Sequence, residues 1–106
     1  SLDYYKKAID YLLDQKSNLN FFVFSDDLEW CKNNFDFVQN IFYCEGSPIE
    51  DFILMSSCKY NIIANSSFSW WSAFLNQNQN KIIIYPNNWF VNNDLKIYTP
   101  EDWIMI

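Results

Sequence analysis

The sequence predicts an α/β fold built on a doubly wound parallel sheet, and three observations carry that reading. Four short apolar runs alternate with four segments of helical periodicity. Each connection between successive runs is long enough to hold a crossover helix, and such crossovers return right-handed to a parallel sheet. With 106 residues, 50% of them hydrophobic and 21% aromatic, the chain can build one core and has no linker that would separate two.

Tyr5, Ala8, Ile9, Leu12 and Leu13 recur at helical spacing, with Lys6, Lys7, Asp10 and Asp14 opposite, which predicts an amphipathic helix over residues 2 to 15. The run NFFVF, residues 20 to 24, reads as a strand buried on both faces. Asp26, with Glu29 three residues on, reads as the N-cap and capping box of a helix over 27 to 35. FVQNIFY, residues 37 to 43, reads as the second strand. Ser47-Pro48-Ile49-Glu50 joins an N-cap serine, a proline at the first helical position and a glutamate at the third, so a helix runs from 48 to about 57. YNIIA, residues 60 to 64, is the third strand. Ser66 or Ser67 caps a helix to about Asn76, in which Phe68, Trp71 and Leu75 are read as core and Trp70 as facing a partner. KIIIY, residues 81 to 85, is the fourth strand, and Pro86 ends it. Thr99-Pro100-Glu101-Asp102 predicts a terminal helical turn.

Charge and composition remove several function classes. A net charge of −6 with seven Lys and Arg disfavours binding to nucleic acid or anionic lipid. The absence of His excludes Ser-His-Asp and Cys-His nucleophile systems within this chain. Cys31, Cys44 and Cys58 are odd in number and widely spaced, with no metal-binding pattern, which favours a reducing, cytoplasmic setting. No apolar run approaches the length of a membrane span. The chain begins at Ser1 without Met, and its first segment already reads as helix, so a domain of a longer protein is expected.

In the common doubly wound order the first and third strands are neighbours, and ligands bind in the crevice at their carboxyl ends. Two loops leave those ends. Asn65-Ser66-Ser67-Phe68-Ser69 runs from a strand into a helix, presenting amides and hydroxyls suited to a phosphate or diphosphate; the alternative is that Ser66 and Ser67 only cap the helix. Ser25-Asp26-Asp27 offers a carboxylate to a nucleobase edge or an acidic pair to a cation; the alternative is that Asp26 is only a cap.

The stretches FSDDLEW, EDFILMSSCKYNIIANSSFSWWSAFLN and KIIIYPNNWF, in that order, resemble the C-terminal half of the bacterial α-1,2-fucosyltransferases of glycosyltransferase family 11. The most specific part is Cys58 to Trp71. The resemblance covers essentially the whole chain and implies one GDP-sugar-binding domain, residues 1–106, the Rossmann-like donor half of a two-domain, GT-B-type enzyme. Such enzymes move fucose from GDP-fucose to a galactose 2-hydroxyl with inversion, without metal or other cofactor. It further implies that Ser66, Ser67 and Phe68 hold the diphosphate and that Asp26 reads guanine. Catalytic residues, the arginine-bearing donor motif and the glycan acceptor site would lie upstream, leaving the excised half inactive, prone to self-association, and cytoplasmic or peripheral at the inner membrane. Ser72 stands where relatives more often have Gly. The competing readings are a receiver-like regulatory α/β module and a metal-dependent transferase using Asp26 and Asp27.

Overall fold

The computed structural model describes residues 2–87 and 99–106. Trp89 and Phe90, at the end of the KIIIYPNNWF stretch, lie outside them. The order of elements is α1 (Leu2–Gln15), β1 (Phe21–Val23), α2 (Leu28–Asn34), β2 (Ile41–Tyr43), α3 (Pro48–Ser57), β3 (Tyr60–Ile62), α4 (Ser67–Phe74), β4 (Ile82–Tyr85) and β5 (Ile104–Met105). All strand pairs are parallel, and the α/β alternation follows the sequence pattern.

Alternation along the strands separates two covered faces. Phe21, Val23, Ile41, Tyr43 and Ile62 pack with Ile9 of α1 and with Cys31 and Phe35 of α2. Tyr60, Ile62, Ile82 and Ile84 meet Ala8 and Leu12 of α1. On the opposite face Ile63 and Ile83 pack with Met55 of α3, Ala73 of α4 and Trp103. Helices therefore lie on both faces of the β3-β4-β5 ladder, as in a doubly wound fold.

The expectation of one continuous sheet is corrected. The strands form two ladders, β1-β2 and β3-β4-β5, and among the described residues no ladder joins β1 to β3. Side chains join them instead, since Phe21 and Ile62 share two clusters and Phe24, just past β1, packs against the cluster holding Ile63. Nor is β1 buried on both faces. Phe22 is 51% exposed and stacks on Phe42, itself 50% exposed, at 5.3 Å on the α3/α4 side of the first ladder.

Three boundaries also move. The second strand begins at Ile41, not 37, because residues 36 to 40 turn and Asn40 takes φ 56°. Asn is the non-glycine residue that best tolerates this left-handed region. The predicted terminal turn exists, closed by Trp103 N–H donating to Pro100 O at 3.1 Å, but it leads into β5, which pairs with β4. At α2 the cap is Asp27, whose carboxylate accepts from Trp30 N–H at 3.1 Å, so Asp26 and Glu29 form no capping box.

The buried face of α4 is the opposite of the one expected. Ser69, Ser72, Ala73 and Asn76 are buried, whereas Trp71 and Leu75 are each 50% exposed and Phe68 is also exposed. Ser72 Oγ donates back to Phe68 O at 2.8 Å, so its hydroxyl is satisfied and it can be buried as a small residue. The small side chain of Ala73 packs with Ile63 and Ile83. Trp70 flanks this stripe, 5.8 Å from Trp103 and stacked on Phe74 at 4.9 Å, so it belongs to the core margin. Leu13, expected in the core, is exposed as well.

Two polar devices hold this packing in register. Asn61 Nδ2 donates to Met55 O at 2.8 Å, while Asn76 Nδ2 donates to Cys58 O and to Asn61 Oδ1 at 2.6 and 2.7 Å. The C-terminal ends of α3 and α4 are thereby tied to β3. On the other face the Tyr4 hydroxyl lies 2.6 Å from Ile63 O and 3.0 Å from Ile84 O, linking the start of α1 to the carboxyl ends of β3 and β4.

Asn76→Ala should destabilise the fold by roughly 1 to 3 kcal/mol in urea titration, because it leaves the buried Asn61 oxygen without its donor. Combined with Asn61→Ala it should cost less than the sum of the two single changes. Burial, reinforced by neighbouring Tyr5, pushes the Tyr4 phenol well above its ordinary value of 10.0. Because its folded pKa is raised, stability should be level below pH 10 and fall as pH rises beyond it. Tyr4→Phe should flatten that alkaline slope in denaturation curves measured from pH 8 upward, at about those values.

Candidate functional site

The carboxyl ends of β1 and β3 carry the two loops that the sequence singled out, and Phe24 brings the first against the cluster of the second. In the loop after β1, Ser25 Oγ accepts from Asp27 N–H at 3.0 Å and Asp27 caps α2. The capping role thus falls entirely on Asp27. Asp26 is exposed, and its carboxylate makes no hydrogen bond among the described residues. The reading of Asp26 as only a cap is overturned.

In the loop after β3, Ser66 is the N-cap of α4, extended at φ −147° and ψ 147°, and its Oγ accepts from Ser69 N–H at 3.2 Å. Ser66 N–H turns back onto Ala64 O at 2.8 Å, and Ser69 Oγ donates to that same carbonyl at 2.9 Å. Ser67 occupies the first helical position and is exposed. The Phe68 ring meets Phe52 of α3 edge-on at 5.5 Å. The first ordinary helical bond is Trp70 N–H to Ser66 O, at 3.1 Å. The amides of Ser67 and Phe68 therefore stand at the positive end of α4 without a hydrogen bond among the described residues.

This is an open cradle of amides, not a cavity. Two hollows of about 410 Å³ each lie elsewhere, one at the amino ends of β1 and β2 beside Leu13, Leu19 and Asn40, the other between the last turns of α3 and α4 beside Ser57 and Asn78. Neither touches Asp26, Ser66, Ser67 or Phe68. Anion sites at helix N-termini need only converging N–H groups, so a surface cradle is chemically sufficient. Sequence reasoning missed Ser69, whose hydroxyl is buried within the loop; its spacing of three from Ser66 was the available signal.

Residues 1–106 match the glycosyl transferase family 11 profile over their whole length. The chain belongs to glycosyl transferase family 11. This family 11 chain is 45% identical to the O-antigen biosynthesis glycosyltransferase WbnK of Escherichia coli, over 97% of the chain and 35% of that relative. It is 46% identical to an alpha-1,2-colitosyltransferase of Escherichia coli, over 97% of the chain and 38% of the relative. With galactoside alpha-(1,2)-fucosyltransferase 1 of Homo sapiens it shares 29% over 97% of the chain and 31% of the relative. The chain thus spans between a third and two fifths of the length of its two bacterial relatives. No solved structure matches it significantly. Among the described residues no helix is long and apolar enough to cross a membrane.

Asp27→Ala should lower stability by about 1 kcal/mol, the usual effect of losing an N-cap, as read by urea titration. Asp26→Ala should leave stability within about 0.5 kcal/mol of wild type, as for an exposed side chain without partners.

Proposed function

We propose that this chain is the donor-nucleotide-binding domain of a fucosyltransferase-type glycosyltransferase that takes fucose from GDP-fucose to the 2-hydroxyl of a galactose in a glycan. The observation that carries the reading is the Asn65–Ser67 loop of a family 11 chain, which opens the N-terminus of α4 after β3, while Asp26, in the loop after β1, has an uncommitted carboxylate. Amides and a hydroxyl at a helix N-terminus suit a diphosphate without a metal ion. A carboxylate accepts from both N1-H and the 2-amino group of guanine, whereas adenine offers no matching pair of donors. The α-1,2 linkage in the names of the colitosyl- and fucosyltransferases supports the 2-hydroxyl acceptor, and the O-antigen role in the name of WbnK supports a glycan.

In this reading the domain belongs to a longer two-domain enzyme, whose other part supplies the acceptor site and the catalytic groups. The exposed Ile53, Leu54, Trp71 and Leu75 on α3 and α4 form its contact with that part and make the isolated domain prone to self-association. Its free cysteines favour the cytoplasm, with peripheral placement at the inner membrane. Membership of a glycosyltransferase family leaves the receiver-like reading without support. A second donor has a specific observation behind it: identity to the colitosyltransferase is 46%, against 29% to the human fucosyltransferase, which favours a colitosyl donor on the same site. Transfer assays of the full-length enzyme with each donor decide between them.

Calorimetry of GDP binding to the full-length protein should give the same affinity with Mg²⁺ and with EDTA. Replacing Ser66 and Ser67 together by Ala should weaken binding by about 1 to 3 kcal/mol. Asp26→Asn, which places an amide NH₂ against the donor edge of guanine, should cost roughly 1.5 to 3 kcal/mol with GDP and leave ADP unchanged. An unaltered ratio of GDP to ADP affinity would remove Asp26 from base recognition.

A further inference from the structure

Donor binding makes no use of the hollow of about 410 Å³ at the amino ends of β1 and β2, on the opposite edge of that ladder from the loop bearing Asp26. Four polar side chains line it, Asp10, Asn18, Gln39 and Asn40, and none of the four makes a hydrogen bond or ion pair among the described residues. In the other hollow, by contrast, the Asn78 amide is committed to the carbonyls of Ser57 and Cys58. Asn18 and Asn40 are also the two positive-φ residues among those described, at 58° and 56°. Glycine enters that region with the least strain, yet the one glycine of the chain, Gly46, lies elsewhere, so what asparagine adds at both places is a side-chain amide on the hollow. Apolar surface completes the lining. Leu13 and Phe37 are 52% and 47% exposed there, and the Phe37 ring is braced by Phe35 at 6.3 Å and by Lys6 Nζ, 5.5 Å from its centre.

We infer that this hollow is a second glycan-binding site, which takes a neutral sugar residue of a long acceptor at a place apart from the transfer centre. Amide groups both donate and accept, and a carboxylate accepts, which matches a ring of hydroxyls. An exposed aromatic ring beside aliphatic side chains matches the C–H face of a pyranose. The volume lies in the range usual for small-molecule sites, about 300 to 1,000 Å³. No Lys or Arg lines the hollow and Asp10 does, so an anionic ligand meets a like charge there. The choice of a glycan over another neutral polyol rests on the acceptor proposed above. Set at the amino edge of the ladder, the site holds the acceptor chain and takes no part in the reaction.

Asn18→Gly and Asn40→Gly remove the two amides and keep the left-handed backbone, so the fold survives the test. In nuclear magnetic resonance spectra of the isotope-labelled full-length protein, the side-chain amide signals that these variants lack should shift saturably as lactose is added at millimolar concentration, and glycerol should leave them in place. With a long galactose-terminated oligosaccharide as acceptor, the double variant should raise KM roughly threefold or more, the effect of losing two hydrogen bonds, with kcat, KM for the nucleotide-sugar donor and melting temperature unchanged. Signals that stay in place with lactose, or that move equally with glycerol, overturn the site. An unaltered acceptor KM in the folded double variant overturns it as well. Shifts with lactose in a protein that transfers neither fucose nor colitose leave this site standing and overturn the donor reading instead.

Discussion

The packing of α4, through Ala73, against Ile63 and Ile83 is the constraint on which the rest of the molecule depends. It is possible because the buried stripe is made of Ser69, Ser72 and Ala73 of the helix and Asn76 just past it, and because each polar member of that stripe has a partner. A larger stripe would lift the helix from the sheet. Its N-terminus, which follows β3 through Asn65 and Ser66, would then move with it. The chemistry proposed for the loop is in this sense a product of core packing two turns away.

The polar groups of this core meet backbone carbonyls at the ends of helices. Where the last turns of α3 and α4 meet β3, backbone carbonyls are left over, and Asn61, Asn76 and Asn78 supply donors to them. Lys81 Nζ does the same for Asn76 O at 2.8 Å. Burying those carbonyls without donors would cost more than the network does, and the network fixes one angle between helix and sheet.

Much of this was legible in the sequence, and the part that was not has physical reasons. Local chemistry was readable: the serine, proline and glutamate at the start of α3 form the capping box with Ser47 N–H donating to Glu50 Oε1 at 3.1 Å. The alternation of apolar runs and helices gave the α/β class. Which face of α4 is buried was not readable, because size complementarity against a particular sheet outweighed hydrophobicity, and Trp71 is simply too large for the position that Ser72 fills. Asp26 and Asp27 are equally good caps in isolation, and only the path of the chain out of β1 decides between them. β5 was missed because a two-residue strand carries no periodicity of its own and takes its shape from β4. The loops leaving β1 and β3 lie where the sequence placed them, but which of their groups are left without a hydrogen bond requires atomic positions.

The seam between β1 and β3 bears on how a nucleotide would be gripped. The loop bearing Asp26 leaves the two-stranded ladder, and the loop bearing Ser67 leaves the three-stranded one. Among the described residues, only side-chain packing spans the gap, and apolar contacts slide at far lower cost than backbone ladders break. The separation between the two loops is therefore set by the packing of Phe21, Phe24 and Ile62 across the gap. A ligand touching both would act as the missing rung, so that its length, set by base, ribose and diphosphate, would tension the domain across its own midline.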